Sequence, residues 1–102
     1  MPYIKPEGRV FLDGCVYRMM ECLTEGNELT DEEFMAIIGE VNYVFSRVIT
    51  GCMGKPSYAK ICMITGVLEN IKQEFYRRVA TPYEMDKMVQ NGDIKEYRRL
   101  FP

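Results

Sequence analysis

Apolar residues recur at three- and four-residue steps along most of this chain, which is the spacing of one helix face, and the runs have legible ends. The clearest run is Ile61, Ile64, Leu68, Ile71 and Phe75. It predicts an amphipathic helix starting near Ser57, a residue suited to an N-cap. Phe34, Ile37, Ile38, Val41, Val44, Phe45 and Val48 form a wider stripe before it, predicting a helix that continues until Gly51. Leu12, Cys15, Val16, Met19 and Leu23 predict another from about Arg9, stopped by Gly26-Asn27. No segment shows the alternation of a half-buried strand.

The helix ends carry most of the local chemistry. Thr30 and Glu33 have the spacing of a capping box, Asp31 and Glu32 suit the positive end of the helix dipole, and Leu29 with Phe34 matches a hydrophobic staple. Gly51-Cys52-Met53-Gly54-Lys55-Pro56 reads as a loop. Thr81-Pro82-Tyr83-Glu84 reads as a second capping box, with proline at the first helical position, so a new helix is expected to begin at Thr81. Met85, Met88 and Val89 give that helix a short apolar stripe, ended by Asn91-Gly92. The expected architecture is all-α: a small helical bundle of three main helices plus a short C-terminal helix. Residues 1–8 are expected as an extended arm and 93–102 as a tail, either a short helix or an extended segment docked by Ile94, Tyr97, Leu100 and Phe101.

Length and composition narrow the class. The 102 residues predict one domain, and a core of that size gains from association with another copy, so a homo-oligomer is expected. Hydrophobic residues make up 47% and charged residues 27%, a globular balance. The net charge of −2 argues against nonspecific nucleic-acid binding, which needs a surplus of Lys and Arg. The chain has no apolar run of membrane-spanning length, and its Met-Pro-Tyr-Ile-Lys start has no signal-peptide core, so a soluble, cytoplasmic protein is expected.

Candidate chemistry is sparse. With no histidine, Ser-His and Cys-His nucleophiles are excluded. Cys15, Cys22, Cys52 and Cys62 lack metal-ligand spacing; those in helical segments are expected as buried apolar residues and Cys52 as a loop thiol. Gly51-x-x-Gly54-Lys55 lacks P-loop spacing. No catalytic residue, metal or cofactor is therefore assigned, and the expectation is a binding protein rather than an enzyme. Glu74 and Arg78 suit an i,i+4 ion pair. Tyr58, Cys62, Thr65, Glu69, Lys72 and Tyr76 form a second, polar stripe beside the Ile61–Phe75 one. Asn42, Tyr43, Ser46 and Arg47 flank the apolar face of the second helix, combining an aromatic ring, an amide and a guanidinium suited to an anionic or nucleotide-like ligand. Satisfaction of these groups between packed helices is the stronger structural alternative. Arg77-Arg78 and Arg98-Arg99 either converge on an anion or remain solvated.

The MPYIK start, Asn42-Tyr43-Val44 followed by Ser46-Arg47, and GVLENIKQEFYRRVATPYE from Gly66 to Glu84 resemble a family of small uncharacterised bacterial and bacteriophage proteins. The resemblance covers most of the chain; it departs at Glu40-Val41 and after Asn91-Gly92-Asp93. It implies a phage or mobile-element setting and no transferable activity. Matching motif positions are Asn42, Tyr43, Arg47, Glu69, Lys72, Glu74, Tyr76, Arg77 and Arg78. The expected function is a small helical binding protein that sequesters an anionic signalling nucleotide in the host cytoplasm, as a counter-defence sponge does. The alternative is a module that inhibits or adapts a host protein through a helical face.

Overall fold

A computed structural model describes residues 3–100. The described chain is all-α, with the helical elements of a small bundle and no strand. A 3-10 turn at Pro6–Gly8 leads into α1 (Val10–Thr24), followed by α2 (Asp31–Met53) and α3 (Tyr58–Phe75). A π-helical turn at Tyr76–Ala80 joins α3 to α4 (Thr81–Asn91), and α5 (Lys95–Leu100) closes the described chain. The chain divides into two units, residues 3–64 and 65–100, and within neither is any described residue buried.

In the first unit, helix ends follow the capping chemistry closely. Thr30 is extended, its hydroxyl accepts from the Glu33 N–H at 3.2 Å, and the Glu33 carboxylate accepts from the Thr30 N–H at 3.1 Å. This reciprocal box satisfies two of the N–H groups left over at a helix start. The Ser57 hydroxyl likewise accepts from the Lys60 N–H at 3.2 Å and starts α3. At the far end of α2 the Lys60 ammonium donates to the Met53 and Lys55 carbonyls, both at 3.1 Å, placing a cation where the helix dipole is negative. α1 ends one residue before the expected Gly26: Glu25 itself takes the left-handed cap at φ 55° and donates to the Glu21 carbonyl.

The arm, the end of α2 and the burial of the cysteines are corrected. Residues 1–8 are not extended throughout, because Pro6–Gly8 wind into a 3-10 turn and the Arg9 guanidinium donates to the Ile4 carbonyl at 2.8 Å; Met1 and Pro2 lie outside the described residues. α2 does not stop at Gly51. It continues through Gly51 and Cys52 to Met53, and Gly54, at φ 66°, ends it. Cys52 is thus helical, and all four cysteines are exposed in the chain taken alone. Of the two readings of the tail, the short helix is the one observed over Lys95–Leu100, with Phe101 outside the described residues.

The largest correction is at Thr81. It has helical dihedrals, φ −62° and ψ −50°, and its N–H donates to the Tyr76 carbonyl five residues back, so it is not an N-cap. Helical structure runs on from α3 into α4. Pro82 cannot donate to the Arg78 carbonyl and its ring would collide with it in a regular helix. Widening one turn to π geometry accommodates the ring without breaking the rod.

Two outcomes test these local causes. Pro82→Ala should let position 82 donate to Arg78 and return Thr81 to a four-residue bond, raising the thermal midpoint and altering amide exchange at 76–82. Retention of the Thr81–Tyr76 bond in that variant would show that the proline is not its cause. Thr30→Ala should cost about 1 kcal/mol in a thermal melt by removing the cap of α2.

Candidate functional site

Among the sequence-derived candidates, Asn42, Tyr43 and Arg47 belong to the first unit and Glu69, Lys72, Tyr76, Arg77 and Arg78 to the second. Each unit holds its own cluster.

On α2, Tyr43 and Arg47 sit one turn apart, so the guanidinium lies over the phenol ring, 5.7 Å from its centre, and donates to the Tyr43 hydroxyl at 3.2 Å. This is a cation–π contact supported by a hydrogen bond. Ser46 and Asn42 make a parallel pair, the Ser46 hydroxyl donating to the Asn42 side-chain oxygen at 3.3 Å. Tyr43, Ser46, Arg47, Thr50 and Gly51 line a shallow depression on this helix. It presents one cation, three hydroxyls and an aromatic face. Thr50 and Gly51 escape the sequence pattern because the glycine suggests a loop; an unbroken α2 places Gly51 one turn beyond Arg47.

In the second unit, Glu69, Lys72, Glu74, Tyr76, Arg77 and Thr81 contribute to a groove along the end of α3 and the π-turn. Its charges are largely matched within the helix. Glu74 accepts from the Arg78 guanidinium at 2.6 Å and also from Arg77 one turn away. The Glu69 carboxylate accepts from the Gln73 amide at 3.0 Å. Tyr76 reaches toward the Glu84 carboxylate at 3.5 Å, a long contact. The expected Glu74–Arg78 pair is present, and Arg77 joins it through an i,i+3 spacing that the arginine doublet obscures in the sequence. Glu74 is therefore the hub of this cluster. Arg78 binds Glu74 without lining the groove, and Arg98 turns back to the Asp93 carbonyl at 3.2 Å. With Glu69 and Glu74 along it and Arg77 paired, the groove is poorly suited to an anion.

Two carboxylates are held below their ordinary value of 4.5. For Glu33 the chief cause is the Thr30 backbone N–H, followed by the Thr30 side chain. For Glu74 it is the hydrogen bond from Arg78; desolvation, next in size, opposes it, and Arg77 adds a smaller lowering. Among the described residues no group of three His, Cys, Asp or Glu side chains is arranged to hold a metal, and no helix is long and apolar enough to cross a membrane.

The chain belongs to a family described as a domain of unknown function, DUF6899, whose model matches residues 1–94. No curated protein and no solved structure matches the chain.

The Glu74 cluster sets a pH dependence. Because its pKa is lowered in the folded chain, the stability it contributes is present above the unfolded value of 4.5 and is lost as pH falls through the lower folded value. Side-chain titration by NMR should give a Glu74 midpoint below 4.5, and Arg78→Ala should raise that midpoint more than Arg77→Ala. Equal shifts would contradict the leading role of Arg78.

Proposed function

We propose that this DUF6899 chain is a non-enzymatic helical interaction module that works as a self-associated protein and engages a host protein through the apolar faces of its helices. One observation carries the reading: the apolar stripes are formed but uncovered, with Phe34, Phe45, Ile61, Leu68, Ile71 and Phe75 all exposed. Isolated amphipathic helices are marginal in water, and their stability ordinarily comes from burying such a face. Patches of this extent commonly mark surfaces that meet another protein. The phage or mobile-element setting implied by the sequence resemblance fits an inhibitor or adaptor of a host protein.

The Tyr43–Arg47 depression favours a second reading, sequestration of an anionic nucleotide-like ligand. There an exposed ring and guanidinium stand beside Ser46 and Thr50 with no carboxylate lining the depression. Stacking on Tyr43 and a charge-assisted bond from Arg47 are the interactions such a ligand would use.

Sedimentation at micromolar concentration should show a discrete assembly. Affinity capture from host lysate should yield a stoichiometric partner that Ile71→Glu abolishes, with helicity checked by circular dichroism. A monomer that captures nothing would sink the module reading. For the second reading, calorimetric titration with cyclic di- and trinucleotides should give heat that Arg47→Ala removes; silence across the panel would eliminate it.

A further inference from the structure

We infer that α2 pairs antiparallel with α2 of a second copy of this chain, joined by two crossed Glu40–Arg47 ion pairs and by Phe34 seated over Gly51. This rests on the self-association proposed above and names its surface. α2 carries apolar residues in three heptad columns: Phe34, Val41 and Val48; Ile37, Val44 and Gly51; Ile38, Phe45 and Cys52. A seven-residue repeat kept over this length is the pattern of a helix that packs along another helix. α1 meets its first half, where Leu23, Leu29, Ile37 and Glu40 line a common groove near the connecting turn, and the half from Val41 onward lies beyond that groove. Phe34 remains 52% exposed and Phe45 53%.

The flanking charges choose the partner and the direction. The column beside Phe34, Val41 and Val48 holds Glu33, Glu40 and Arg47, one residue before each. Glu33 is occupied by its capping box with Thr30. Glu40 and Arg47 form an opposite pair two turns apart, Arg47 also reaching the Tyr43 hydroxyl at 3.2 Å within its own helix. In a parallel pair this column faces the other helix's Ile38, Phe45 and Cys52, where neither charge finds a counter-ion. In an antiparallel pair the column faces itself, so Glu40 meets Arg47 of the second copy, and the twofold axis repeats the contact.

The same register aligns the core. Val41 meets Val44, Ile37 meets Val48, and Phe34 meets Gly51, each contact occurring twice. Gly51 lies inside α2, where glycine is unfavourable for a helix, and a Cβ placed there would meet nothing within 4 Å in the single chain. Nothing among the described residues requires a glycine at that point. An aromatic ring from a second copy does require the space.

The test is a charge-reversal cycle on the full chain, read by sedimentation equilibrium with circular dichroism to verify helicity. Glu40→Arg and Arg47→Glu should each weaken dimerisation about tenfold, since each turns two attractive contacts into two repulsive ones, and the effect should shrink at high salt. The double variant E40R/R47E should return to the wild-type dissociation constant. Gly51→Leu should retain helicity yet also weaken the dimer about tenfold by filling the seat of Phe34. If the wild type self-associates but the double variant is no tighter than either single one, or Gly51→Leu dimerises as the wild type does, this pairing is wrong while self-association stands. A wild-type chain that stays monomeric overturns both.

Discussion

Backbone hydrogen bonding within each helix is the interaction on which everything else in this chain depends. Its ends are closed locally: Thr30 with Glu33, Ser57 with Lys60, Lys60 with the last carbonyls of α2, Glu25 in the left-handed cap of α1. Those contacts keep polar backbone groups satisfied at the ends, but each has only modest net worth. Burial of apolar area is the larger stabilising term in ordinary domains, and the apolar stripes here are not buried within either unit. The helices are therefore well specified by local contacts while their apolar stripes stay uncovered in both units. That constraint, more than any polar cluster, is the ground for the association proposed above.

The same division explains what is legible in the sequence. Features whose physics is contained in four or five residues can be read directly, such as the Thr30 box, the Ser57 cap, the end of α4 at Gly92 and the Glu74–Arg78 pair. The pattern misleads where one residue type permits two structures. Gly51 suits a helix stop, yet α2 continues through it and ends at Gly54, which does adopt a positive φ. Pro82 suits the first turn of a new helix, yet it also fits behind a widened turn. The segment Tyr76-Arg77-Arg78-Val79-Ala80 contains no glycine or proline and carries the arginines that close onto Glu74. With helix favoured on both sides, inserting one residue is less disruptive than unwinding.

The candidate site is legible to the same extent. One-turn spacing identifies Tyr43 and Arg47, and they do touch. Arg77 looks like half of an arginine doublet awaiting an anion, whereas an anion is already present in Glu74. Adjacent charges in sequence point about 100° apart on a helix, so a doublet has less meaning than the residues three and four positions away.

The π-turn also redirects α4. One extra residue in a turn rotates the rest of the helix by roughly a quarter turn relative to a regular continuation. Without it, Met85 and Met88 would extend obliquely from the face of Leu68, Ile71 and Phe75. With it, they come to a face roughly opposite and line a groove with Ile94 and Tyr97, the apolar residues of the final segment. The second unit thereby acquires two apolar surfaces pointing in different directions, one turned toward its own α5 and one left free. A proline that looks like a boundary between helices acts instead as the element that separates their faces.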